Sequence, residues 1–122
     1  MDDQEILQGF GKILITDVRD AVMSTMAMDY HGRFNTPESK NFQKLLAENN
    51  IPEELFNHIC LKTIDEVIFK LLVAFEENHP ELIVHYLGTD LAAISDGLGG
   101  DFLGDWIPDY SAYPGGAEDE AI

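Results

Sequence analysis

Residues 63–78 read TIDEVIFKLLVAFEEN, and their pattern decides the fold class. Ile64, Val67, Ile68, Leu71, Leu72 and Phe75 recur at i, i+3, i+4 and i+7, the spacing of one helix face. Phe69 and Val73 fall on the other side, so this helix is apolar nearly all round, which predicts a central place in a core. Thr63-Ile64-Asp65-Glu66 has capping-box spacing and predicts the helix start, and Asn78-His79-Pro80 predicts its end.

Working outward, the neighbouring segments are helical too. Asp2 and Glu5 predict a start for a first helix running to about Tyr30, where His31-Gly32 ends it. Ile6, Leu7, Phe10, Ile13, Leu14, Val18, Ala21, Val22 and Met26 form its apolar stripe, with Gly9 and Gly11 as weak points. Thr36-Pro37-Glu38 opens a second helix carrying Phe42, Leu45 and Leu46, stopped at Asn49-Asn50. Pro52 opens a short third one with Leu55, Phe56, Ile59 and Cys60. After residue 80, the proline before and Gly88 after favour a helix Glu81–Leu87 over a strand. Thr89 or Asp90 caps a last segment with Leu91, Ala92 and Ile94. The expectation is an all-α bundle of five to six helices around a central apolar helix at about 63–78. Residues 1–114 form a single helical domain with an irregular acidic and aromatic end, and 115–122 an acidic, frayed tail.

Charge is the unusual feature. The chain of 122 residues has seven Lys and Arg against 23 Asp and Glu, a formal charge of −16. All seven cations lie in residues 1–70, with twelve acids; residues 71–122 hold eleven acids and no Lys or Arg. Phosphate contacts need cations, so nucleic acid and anionic membrane are disfavoured as partners and a basic protein is favoured. Solubility or salt adaptation is the bland reading of the same charge. The N-terminus has no basic region before an apolar run, and the longest apolar run is too short to span a bilayer; a cytoplasmic protein is expected.

Tests for chemistry mostly fail. Glu76 and His79 have the Glu-x-x-His step of di-iron bundles, but His31, His58 and His85 have no Glu three residues before them. Glu76 and His79 thus remain metal candidates, with a helix-end histidine as the alternative, and no cofactor is expected. Glu54/His58 and Glu81/His85 are i, i+4 pairs of the kind common on solvated helices. Cys60 follows Ile59 on an apolar stripe and reads as a buried thiol. The run GLGG lacks the spacing and lysine of a phosphate loop. Asp17 and Asp20 sit on the first helix, Asp17 near its stripe and suited to pair with Arg19 or Lys44.

The stretch Ser95–Pro114, SDGLGGDFLGDWIPDYSAYP, fails an EF-hand count because Leu98, Gly100 and Ile107 stand where oxygen ligands are needed. What remains is a spacing: Phe102, Trp106 and Tyr110 every four residues, each preceded by Asp101, Asp105 or Asp109. Its glycines weaken any helix and Pro108 is expected to stop it. In one reading Phe102, Leu103 and Trp106 seal the bundle and the aspartates are solvated. In the other, rings and acids face a partner; both hold if Trp106 is inside while Tyr110 and Tyr113 are out.

Phe75-Glu76-Glu77, His79-Pro80 and Tyr110-Ser111-Ala112-Tyr113-Pro114 together resemble, in type, the small acidic helical immunity proteins that neutralise bacterial nuclease toxins. The resemblance spans about a dozen positions; this chain is longer, its two tyrosines are not adjacent and the motif order differs. In that family acids and a tyrosine pair near a proline bind the basic toxin, so the resemblance implies binding rather than catalysis. The expected function is an acidic interaction module for a basic protein, with Asp101, Asp105, Asp109, Tyr110, Tyr113, Glu76, Glu77 and Glu81 as partner-binding residues. The alternative is a small helical-bundle enzyme or ligand- or metal-binding protein with Asp17, Asp20, His79 or His85 in a pocket.

Overall fold

The computed structural model describes residues 1–113 and is an all-α bundle with one small hairpin. The tail expected over 115–122 lies outside the described residues. α1 (Asp3–Ile13), a π-helical turn (Leu14–Arg19) and α2 (Asp20–Tyr30) run on as one N-terminal rod. Asp2 caps it as its spacing predicts, accepting from the Glu5 N–H at 2.8 Å. The π turn was not legible, and it changes the register. The Asp20 N–H reaches back five residues to the Ile15 carbonyl, so the turn holds an extra residue. Beyond it the buried stripe passes through Ile15, Arg19 and Met23, whereas Val18 and Val22 are left 39% and 37% exposed.

α3 (Pro37–Glu48) starts where expected, with Thr36 Oγ1 accepting from the Ser39 N–H at 3.1 Å. It packs on α2, and its Phe42 ring meets Phe56. α4 is one helix, Glu53–Glu77. The central apolar helix is therefore there, but it begins ten residues earlier than expected and absorbs the short third helix. Thr63-Ile64-Asp65-Glu66 lies mid-helix, because no Gly or Pro between 53 and 77 stops the preceding turns. α4 runs antiparallel to the rod: Arg19 faces Asp65, and the Tyr30 hydroxyl donates to the Ile51 carbonyl at 2.8 Å.

The expected helix Glu81–Leu87 is instead a β-hairpin, β1 (His85–Tyr86) paired antiparallel with β2 (Thr89–Asp90). Leu87 and Gly88 both have positive φ, 52° and 76°, the two-residue turn that matches strand twist. Val84 and Tyr86 turn inward while His85 and Leu87 are exposed, a period of two that five residues were too few to announce.

After α5 (Leu91–Ile94), the glycine-rich stretch forms a second continuous rod: α6 (Leu98–Asp101), a π turn (Phe102–Trp106) and α7 (Ile107–Tyr110). Pro108 does not stop it. The Ile107 N–H bonds to the Phe102 carbonyl five residues back, and this wider turn precedes the residue that lacks an N–H. The C-terminal rod packs on both α4 and α1. Phe102 and Trp106 are fully buried there, each contributing about 2–3 kcal/mol by leaving water. The fit is close enough to require glycine. A Cβ on Gly99 would lie 2.6 Å from the Phe69 ring, and one on Gly11 would run into the Trp106 indole.

Candidate functional site

The sealing role expected of Phe102, Leu103 and Trp106 is the one the rod performs: two rings are core and Leu103 packs against them. The aspartates preceding the rings point the other way. Asp105 and Asp109 are exposed and Asp101 is half-buried. Asp101 Oδ2 accepts from the Ser95 hydroxyl at 2.6 Å, and the Gly97 N–H donates to Ser95 Oγ at 2.9 Å. Burial pushes the Asp101 carboxyl above its ordinary range; the Ser95 hydrogen bond opposes this, and the charges of Asp105, Asp96 and Glu76 add to the rise. These acids surround the start of the C-terminal rod, Glu76 reaching it from α4. Asp96 was not among the residues expected from sequence. Its signal was available: it stands one residue after Ser95, which ties it to the Asp101 loop.

Glu76 has a structural task as well. Its Oε1 accepts from the Leu98 N–H at 2.6 Å, so a carboxylate from α4 sits at the positive end of the C-terminal rod. Glu77 and Glu81 are exposed on the neighbouring chain end. Tyr110 and Tyr113 are half-buried rather than out. Tyr110 packs on the core cluster, and the main chain of Tyr113 is held in a turn by Ser111.

That turn is fastened to a fully buried arginine. Arg19 Nε and Nη2 donate to the two oxygens of Asp65 at 2.6 and 3.1 Å, a bidentate pair. Its Nη1 donates to Ser111 Oγ at 2.7 Å and to the Tyr113 carbonyl at 3.2 Å. Asp20 completes the set: Oδ1 lies 2.7 Å from the Ser111 hydroxyl and Oδ2 accepts from the Ala112 N–H at 2.9 Å. Sequence reasoning offered Asp17 to Arg19 and missed this. The clue was Arg19 itself, four residues from Ile15 and from Met23, a cation on a core stripe. Asp17 is exposed and accepts from the Thr16 hydroxyl, and Lys44 pairs with Glu48.

The histidines do not converge. His79 Nε2 lies 2.6 Å from Asp90 Oδ2, linking the end of α4 to the hairpin, and this contact, first among several, holds the Asp90 carboxyl below its ordinary range. His31 pairs with Glu53 at 2.8 Å, and His58 and His85 are exposed. Among the described residues no group of three or more His, Cys, Asp and Glu is placed to hold a metal, and Glu76 and His79 point to separate partners. Cys60 is half-buried, with burial pushing its thiol up. A shallow depression of about 290 Å³ lies between α2 and α3, lined by Tyr30, Gln43, Leu46, Ala47, Asn50 and Ile51, and contains neither Asp17, Asp20, His79 nor His85.

No protein-family model, curated protein or solved structure matches the chain. Among the described residues no helix is long and apolar enough to cross a membrane.

Proposed function

We propose that the chain is an acidic interaction module that binds a basic protein through the outer side of its C-terminal rod. The observation that carries this reading is a half-buried Asp101 at the head of an acid-lined rod, its carboxyl raised first by burial and further by the charges of Asp105, Asp96 and Glu76. Like charges held side by side lower stability, and residues 71–122 contain no Lys or Arg to relieve them. A cationic partner relieves them and is steered in by the same field. Asp109 extends the acid lining along the rod, while Glu77 and Glu81 extend it past the end of α4. Tyr110 and Tyr113 supply half-exposed rings at its edge. Within this reading, the immunity proteins that the acidic and tyrosine motifs resemble point to a nuclease toxin as the class of partner.

The immobilised protein is expected to retain basic proteins at about 50 mM salt and release them near 500 mM, where charge is screened. The triple variant Asp101→Asn, Asp105→Asn, Asp109→Asn is expected to lose that retention. Retention unaffected by the triple substitution overturns the proposal, as does failure to hold any basic protein at low salt.

A further inference from the structure

α4 carries apolar residues on both sides of its buried stripe, and the described residues cover only one of these flanks. The C-terminal rod covers the flank of Phe69 and Glu76. On the opposite flank Val67 and Leu71 are 56% and 48% exposed, with Ile64 half-buried beside them. The N-terminal rod leaves the same side bare. Asp20, one position past buried Arg19, faces the C-terminal rod; Val18, one position before it, therefore faces away. Leu14, Val18 and Val22 follow one another along that side. Arg19 lies level with Asp65, so these three stand level with residues 62–70 of α4 and the two stripes adjoin. Further down the groove α3 lies over the helices through Phe42 and Phe56; beyond α3 the described residues leave it open.

We infer that a second copy of this chain covers this flank, each copy placing its α4 on the other's N-terminal rod. Three observations select that occupant. The six residues of the patch carry no charge, in a chain of −16 whose C-terminal side would repel its own kind. The rims are complementary: Asp17 edges the patch on the rod, and Lys70 edges it on α4 at nearly the same height, both exposed. A two-fold axis parallel to the helices sets each Asp17 against Lys70 of the second copy. The size suits a weak, concentration-dependent dimer. From Cys60 to Phe75 the groove is about 22 Å long and about 20 Å wide across two helices. That is about 440 Å² per copy, in the range of transient associations.

Analytical ultracentrifugation of the full chain, up to about 200 µM at a salt concentration near 500 mM, tests this apart from any acid-mediated binding. The expected result is a mass rising with concentration to twice the 13.6 kDa of the chain. Val67→Glu and Val18→Glu each return it to one copy with unchanged helical circular dichroism, since both positions are exposed. At about 150 mM salt Asp17→Lys is expected to weaken the dimer about fivefold, and Asp17→Lys with Lys70→Asp to restore it. A chain that stays at single mass throughout overturns the inference, as does a dimer indifferent to Val67→Glu or a paired charge reversal that fails to rescue.

Discussion

The two flanks of α4 are built from the same kinds of apolar residue and meet different fates. On one, the C-terminal rod presses so closely that Gly99 is needed beneath Phe69, and a buried arginine fastens the chain that follows. On the other, exposed Val67 and Leu71 stand beside exposed Val18 and Val22, with Ile64 and Leu14 half-buried beside them, and beyond α3 the described residues place nothing over them. The difference teaches that apolar periodicity reports which faces leave water, not what covers them. A flank filled from within shows it by glycines and paired charges; one filled by another molecule shows neither.

The largest effect is expected where the covered flank is fastened. Asp65→Ala leaves the Arg19 guanidinium buried without its bidentate partner, at a cost of about 3 kcal/mol or more. Thermal unfolding is expected about 10 °C lower. Replacing both partners, Arg19→Met with Asp65→Leu, is expected to recover part of that loss, because neither charge of the bidentate pair then remains buried, while Asp20 keeps its bonds to Ser111 and Ala112. A single substitution no worse than the double one would mean that the pair is not what holds this flank.

Close packing predicts the next effect. Gly11→Ala drives a methyl into the Trp106 indole and is expected to cost about 2 kcal/mol, read from urea unfolding. Gly104→Ala is the counterpart on the C-terminal rod, which carries Trp106: a Cβ there meets nothing within 4 Å, and the lost chain freedom is expected to stabilise by about 0.5 kcal/mol. Equal effects at the two positions would break the distinction between a filled flank and a surface.

The same contrast explains what could be read from residues alone. The caps at Asp2 and Thr36 and the stripe of α4 are local patterns, and the helices they predict are present. The π turn at Leu14–Arg19 is not local in this sense. It is stabilised by what Arg19 reaches across the bundle, so the spacing alone put Val18 and Val22 inside. Glycines in 97–104 read as helix breakers, because the demand of Phe69 for Gly99 exists only after folding. At the candidate site the acids and rings were legible as a spacing of four, and their division into inner rings and outer carboxylates follows from it. The tie of Ser111 and Tyr113 to Arg19 spans more than ninety residues and leaves no trace in either segment.

The smallest effect separates the outer face of the covered flank from the bare one by its response to pH. Asp101 has a raised folded-state pKa, chiefly from burial and then from Asp105, Asp96 and Glu76, so its charged form disfavours folding. In the unfolded chain it titrates near 3.9. The penalty is therefore fully present above the folded value, shrinks as pH falls through it, and is gone below about pH 3.9. Asp101→Asn keeps an oxygen to accept from Ser95 while removing the charge. Its melting temperature is expected to exceed that of the wild type by about 1–2 °C at pH 7, with the gain vanishing in acid. Val67→Glu, adding a solvated charge on the bare flank, should show no such gain at neutral pH. A lower melting temperature for Asp101→Asn at pH 7 would mean that the Ser95 hydrogen bond outweighs the crowding. If the gain appears together with weaker retention of basic proteins, the carboxylate is one that this fold keeps at a cost to its own stability, as a binding residue and not a structural one would be.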